Sequence, residues 1–253
     1  MSAVKAIHAL TAPVEDYLKA IFEIEGADAQ ADADRPSVAG TNEIAQALGI
    51  APASVTGMLR RLAEQGLISY ERYRGVRLSE AGRRAALRTI RRHRIIESYL
   101  TKALGYPWDR VHDEAERLEH AASDELIDRM ASAVGEPTTD PHGAPIPTRE
   151  GTLDARPLLA LVDVDVGAVV RVRQVSDRDP ERLRYLAELG VIPGADVRVL
   201  SRAPFGGPIT LRIMRGGGGG AERGGGVRGA RDCSIGPMLA AQVFVEARRS
   251  REA

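Results

Sequence analysis

The stretch "VHDEAERLEH" (Val111–His120) places two histidines and four acidic residues in ten positions, and "RRHRIIE" (Arg91–Glu97) upstream adds another histidine and glutamate. On a helix, positions i, i+3 and i+4 share a face. Glu116, Glu119 and His120 have that spacing, His112 lies one turn before Glu116, and His93 and Glu97 are again i and i+4. Crowded carboxylates repel one another unless they are protonated or neutralised, and a divalent cation does the latter. Oxygen-rich donors with an imidazole suit manganese or ferrous iron, whereas structural zinc favours thiolates. A solvated acidic helix face, stiffened by i,i+4 pairs, is the alternative. Spacing alone leaves both open.

The elements that must carry these residues are legible from periodicity. One helix is expected from Trp108 to Val134, with Val111, Ala115, Leu118, Ala122 and Leu126 as its apolar stripe. Before it, a long helix from Ser79 to Leu104 ends at Gly105. Nearer the N-terminus a helix from Pro13 to Gly26 buries Val14, Tyr17, Leu18, Ile21 and Phe22, and an Ala/Asp/Gly-rich loop spans Gly26–Gly40. A short helix from an N-capping Thr41 to Leu48, a turn at Gly49, and a helix over Ala51–Gly66 follow. Two strands around Arg74-Gly75 complete the order of a winged helix-turn-helix.

Presented to a DNA major groove, that third helix offers Ala51, Pro52, Ala53, Ser54 and Thr56, with Gly57 among them. None makes the bidentate bonds of strong base readout. Their small apolar groups suit thymine methyls, and the hydroxyls suit phosphates. Arg60 and Arg61, with Arg72, Arg74 and Arg77 of the wing, are expected to hold the DNA backbone. Charge agrees: residues 60–94 carry 11 Arg against 3 Glu, whereas residues 106–154 carry 4 Arg against 12 Asp or Glu. A basic surface for a polyanion beside an acidic region follows.

"GEPTTDPHGAPIPTREG" (Gly135–Gly151) reads as a proline-rich linker, with His142 as a turn residue. Beyond it "GAVVRVRQV", "ADVRVL", "ITLRIM" and "AQVFVEA" alternate as strands around a short helix, "DPERLRYLAELG" (Asp179–Gly190), and suggest a small β-barrel. The glycine run Arg215–Arg231 reads as a disordered insertion. The fold class is thus a mainly α N-terminal half, a winged helix-turn-helix plus a helical domain, followed by a small all-β barrel. The expected domains are 1–78, 79–150 and 151–253.

With 253 residues the chain has ample length for real cores. The single cysteine, Cys233, excludes an internal disulfide and fits a reducing cytoplasm. Neither a signal sequence nor an apolar run of membrane-spanning length is present, so export and membrane insertion are not expected.

The ordered combination of winged helix, "RRHRIIE", "VHDEAERLEH" and "DPHGAPIP" resembles the diphtheria toxin repressor family of metal-dependent regulators, and "VSDRDPERLRYLAELGVIPGADV" with "FGGPI" resembles its FeoA-like C-terminal domain. The resemblance covers nearly the whole chain. It implies a homodimer that binds palindromic operators in double-stranded DNA when loaded with metal and represses metal-uptake genes. It also implies a primary site of Asp16, Glu116, Glu119 and His120, and a second site of His93, Glu97 and His112 with Asp179. Family members that respond to iron carry sulfur ligands at two of the primary positions. Carboxylates at Asp16 and Glu116 place this chain in the manganese-responsive branch, with Mn(II) expected before Fe(II). Two departures stand out: Lys19 occupies a position where some relatives have a second helix-one carboxylate, and Arg182, where long-chain relatives have a ligand, cannot ligate. An iron-dependent repressor, a metal-independent DNA-binding structural protein and a carboxylate–histidine metallohydrolase are the competing readings; the absence of a nucleophile motif speaks against an enzyme.

Overall fold

The computed structural model describes residues 10–31, 38–71, 75–154, 156–215 and 230–247. The glycine run therefore falls largely outside the described residues, as do Arg72 and Arg74 of the wing. The chain forms two compact units. The first takes residues 1–92, 118–122 and 147–153; the second takes 93–117, 123–146 and 154–253.

In the first unit, α1 (Ala12–Ala31), α2 (Thr41–Ala47) and α3 (Pro52–Glu64) precede the antiparallel hairpin of β1 (Ile68–Glu71) and β2 (Gly75–Leu78). Val14, Leu18, Ile21, Ile44, Val55, Leu59, Leu62 and Val76 make one core, which is the stripe that the 3.6-residue period marks. α1 continues five residues past Gly26, because a single glycine costs a helix only about 1 kcal/mol and the alanine-rich "ADAQA" favours it. Gly40 rather than Thr41 caps α2, with its N–H donated to the Glu43 carboxylate at 2.7 Å. The Glu25 carboxylate accepts the Leu78 N–H at 2.8 Å and ties α1 to the wing. α4 (Glu80–Leu104) starts in this unit, and Gly82 lets it approach β1: a Cβ there would lie 1.9 Å from the Leu67 carbonyl oxygen.

The expected single helix over Trp108–Val134 is two helices, α5 (Val111–Leu118) and α6 (Asp124–Ala133), separated by a turn. Ser123 causes the restart: its hydroxyl accepts the Leu126 N–H at 3.2 Å and caps α6. Val111 and Ala115 are buried as expected, but Leu118 and Leu126 are 39% and 44% exposed, because the stripe does not continue through the turn. Ile127 takes the inward position on α6.

The second unit contains a six-stranded antiparallel sheet ordered β3-β8-β4-β5-β6-β7, built from β3 (Leu159–Ala160), β4 (Val169–Val175), β5 (Asp196–Arg202), β6 (Ile209–Arg215), β7 (Arg231–Ile235) and β8 (Val243–Ala247). α7 (Pro180–Leu189) and α8 (Pro237–Ala240) pack on it over a core that includes Val172, Leu183, Leu186, Val197, Leu211 and Val245. The sheet is not the closed barrel that the strand pattern suggests. Its edge strands β3 and β7 each pair on one side only among the described residues. Alternation fixes which face is buried but not closure. The expected linker is structured: Asp140 Oδ1 accepts the N–H groups of His142 and Ala144 at 2.8 and 3.0 Å, and the Val175 N–H is donated to the His142 carbonyl at 2.9 Å. Gly143, at φ +91°, lies so close to β4 that a Cβ would sit 1.8 Å from the Arg173 oxygen.

Candidate metal centres

Among the described residues, potential ligands are assembled within each unit. In the first, Asp16 from α1 meets Glu119 and His120 from the turn between α5 and α6, with one ligand atom of each within 4.8 Å of the others. His120 Nε2 is 2.8 Å from Asp16 Oδ1, and His120 Nδ1 is 2.6 Å from Glu15 Oε2. Lys19 donates to both Glu119 oxygens, at 3.1 and 3.0 Å. Burial works against a charged His120, but the Glu15 hydrogen bond and the charges of Asp16 and Glu119 outweigh it and raise its pKa. Glu119 and His120 lie in the turn beyond α5 rather than on the helix that the i,i+3 spacing assumes, and Glu116, expected with them, is not in this group.

The second group is centred on Glu97, which is fully buried. One carboxylate oxygen, Oε1, faces three imidazoles: His93 Nε2 at 3.2 Å, His112 Nδ1 at 3.6 Å and His142 Nδ1 at 3.6 Å. Asp177 Oδ2 is 3.6 Å from His112 Nδ1. His93, Glu97, His112 and Asp177 form one ligand constellation; Glu97, Asp140 and His142 form another that shares Glu97. Glu116 also belongs to these contacts, with Oε1 3.7 Å from His93 Nδ1 and 3.9 Å from His112 Nε2.

Four buried atoms here lack a well-aligned hydrogen bond: both Glu97 oxygens, Asp140 Oδ2 and His142 Nδ1. Buried polar atoms are almost always satisfied, so lone-pair atoms gathered here with only loose contacts, among them Arg94 Nε 3.5 Å from Asp140 Oδ2, suit a cation-binding cage. The tautomer of His142 fits. Its Nε2–H is donated to the Trp108 carbonyl at 2.7 Å, which leaves Nδ1 as a lone pair aimed at Glu97. Trp108 also stacks on the ring, centroids 5.5 Å apart. The donor set, carboxylates and imidazoles without sulfur, suits manganese or ferrous iron.

Burial alone would raise the Glu97 pKa, but His93 and the hydrogen bond from His112 more than offset it and hold the carboxylate below its usual range. Asp140 is pushed up to about 6 by burial and by the neighbouring Glu97 charge. For His112, burial opposes protonation, but the Glu97 hydrogen bond and the Asp177 charge win and raise the pKa. The sign of the pH dependence follows. In the metal-free fold a protonated His112 contributes stability below its unfolded pKa of about 6.5 and loses it as pH rises through the higher folded value. A metal needs the neutral ring. Manganese binding to this cluster is therefore expected to release protons and to tighten from about pH 6 to 8. Calorimetry in buffers of different ionisation enthalpy measures this; equal proton release at both ends of the range would contradict the assignment.

Asp179, expected as a second-site ligand, is not in either group. Its Oδ1 accepts the N–H groups of Glu181 and Arg182 at 3.0 and 3.2 Å, and its Oδ2 is 2.9 Å from Arg182 Nε, so it caps α7. Asp177, two residues earlier, stands where Asp179 was expected. Asp177, Asp140 and His142 are the residues that sequence reasoning passed over. The one signal for the last two was two titratable residues flanking a proline in "DPHG".

On the prospective DNA face, Ala51, Pro52, Ala53, Ser54, Gly57, Arg60, Arg61 and Arg77 are exposed and Thr56 is half-buried. Gly57 faces open space.

Comparison with known proteins covers most of the chain. Residues 9–76 match the iron dependent repressor, N-terminal DNA binding domain; residues 79–148 match the iron dependent repressor, metal binding and dimerisation domain; residues 159–247 match the FeoA domain. The iron-dependent repressor IdeR of Mycobacterium tuberculosis is 32% identical over 212 residues, 79% of this chain and 87% of that protein. The HTH-type transcriptional regulator MntR of Lysinibacillus sphaericus is 32% identical over 124 residues, 49% of this chain and 83% of its own. A solved manganese-dependent transcriptional repressor in complex with manganese superposes with a TM-score of 0.78 at 36% identity, covering 93% of this chain and all of that one.

Proposed function

This chain belongs to the iron-dependent repressor family of metal-dependent transcriptional regulators, and from that premise we propose that it is a manganese-activated repressor that binds palindromic operators as a homodimer in the cytoplasm and silences metal-uptake genes. The observation that carries this reading is the position of Asp16. It lies on α1 of the winged-helix unit and meets His120 of the α5–α6 turn at 2.8 Å. Asp16, Glu119 and His120 would hold one ion, and Glu97, His93, His112 and Asp177, or Glu97, Asp140 and His142, a second. When bound, the metal supplies positive charge that lets these carboxylates converge.

Asp16 and Glu15 couple α1 to the turn, so the turn's position and that of the DNA-binding helices are linked within one compact unit. A coupling of about 1–3 kcal/mol between metal and DNA suffices for a 5–150-fold change in operator affinity. Carboxylates at both Asp16 and Glu116, where iron-responsive members of the family carry sulfur, support manganese over ferrous iron.

The exposed face of α3 offers small side chains, so Arg60, Arg61 and Arg77 supply phosphate contacts while operator shape and half-site spacing supply much of the specificity. DNA sites selected from random oligonucleotides in the presence of manganese should converge on an inverted repeat; a set without dyad symmetry would refute the homodimer reading. On the selected site, Arg77→Ala should weaken binding to all sequences alike and lower the log–log salt slope by about 1. A loss confined to one base position would show instead that Arg77 reads sequence.

A further inference from the structure

The cluster in the first unit already contains a cation. Lys19 lies one turn of α1 beyond Asp16 and directs its ammonium at both oxygens of Glu119, 3.1 and 3.0 Å away. The two side chains are 11% and 0% exposed. Glu119 is also the residue whose oxygen lies within ligand distance of Asp16 and His120. It cannot give both oxygens to a divalent ion while the ammonium holds them.

The surrounding charges sharpen the point. Glu15, Asp16 and Glu119 bring three negative charges. Arg92 Nη1 lies 3.5 Å from Glu15, whereas Lys19 is directed at Glu119, one of the candidate ligands itself. Burial removes the water that would otherwise screen an ammonium from an arriving cation. Because α1 anchors it, Lys19 competes at the high effective concentration of a tethered group.

We propose that Lys19 is a built-in competitor for Glu119 and sets the metal concentration at which the Asp16–Glu119–His120 cluster fills. The proposal rests on the reading of that cluster as a metal site. It makes Lys19 a threshold-setting residue: it neutralises Glu119 in the metal-free fold, and the ion must displace or share that contact.

The test uses the full chain and manganese itself. The electron paramagnetic resonance signal of free Mn(II) counts total binding. The single tryptophan, Trp108, stacks on His142, so its fluorescence reads the Glu97 cluster separately. Lys19→Gln removes the charge and should tighten the class that Trp108 does not see by roughly tenfold or more, because a like charge beside the ion is gone. The Trp108-reporting class should not move. Lys19→Arg keeps the charge and should stay within about threefold of the native chain. Lys19→Gln also leaves Glu119 buried without its ammonium. Its metal-free form should melt lower than native, and manganese should raise its midpoint by more than it raises the native one. That larger shift is readable even if the metal-free variant is only partly folded.

Unchanged or weaker binding in the class silent to Trp108, with the Trp108 class intact, would overturn the proposal and leave Lys19 a structural partner of Glu119. Should no such class exist in either the native chain or Lys19→Gln, the metal reading of this cluster would fall together with the proposal. A class present only in Lys19→Gln would be its strongest support.

Discussion

Asp16→Ala should remain folded and lose the manganese dependence of its DNA binding. Asp16 is 38% exposed, and its contact with His120 is a partly solvated pair of the kind worth at most about 1 kcal/mol, so the melting temperature of the metal-free protein should change little. The ratio of operator affinities with manganese and with chelator, expected at 5–150-fold in the native chain, should fall to near one. The reason is positional. Glu119 and His120 are carried by the turn, and Asp16 is the residue of α1 that meets them. Without it an ion bound to the turn has no carboxylate of that set on α1. Anisotropy on the selected operator measures the ratio; native manganese dependence in the variant would rule out Asp16 as the link.

Glu97→Gln is the second large effect. The substitution keeps shape and removes the charge on which both constellations of the second unit depend. Loss of an outer-shell partner costs about 10–100-fold in metal affinity, and loss of a shared direct ligand should cost more. The Trp108 fluorescence response to manganese, transmitted through the stacked His142, should disappear over the range where the native chain responds. The metal-induced rise in melting temperature should shrink, since stabilisation by a ligand falls with its affinity. Total manganese binding should fall by one class, leaving the Asp16 cluster loaded. A native Trp108 titration in Glu97→Gln would mean that the buried oxygens of Glu97 do not hold the ion.

Much of this was legible in the sequence because the period of apolar residues is strong where cores are simple. Val14, Leu18, Ile21, Val55, Leu59 and Leu62 all lie in the winged-helix core that their spacing predicts. The family resemblance supplied Asp16, which by pattern is only a polar residue on an amphipathic helix. The misses have physical causes. An apolar stripe runs on across Leu118–Asp124, and only the cap formed by Ser123 reveals that the helix stops and restarts. Asp177 and Asp179 are both plausible ligands on paper; Asp179 is consumed by the exposed N–H groups of α7, which leaves Asp177 beside His112. His142 looked like a turn residue, and it is one. Its burial depends on Gly143 packing against β4 and on the Trp108 carbonyl, both long-range contacts that no local pattern encodes. Lys19 was visible as a departure from relatives, but its grip on Glu119, 100 residues away in sequence, was not.

Metal is expected to control DNA binding through these clusters. Fluorescence anisotropy of the selected inverted repeat, titrated with chelator-treated protein and then with manganese or ferrous iron added, tests it most directly. Binding should be tight with metal present, manganese should act at a lower free concentration than ferrous iron, and loaded and metal-free protein should differ within the 5–150-fold range of ordinary allosteric coupling. Equal affinity under chelator and under manganese would contradict it and leave a DNA-binding protein whose carboxylate–histidine clusters serve the fold alone.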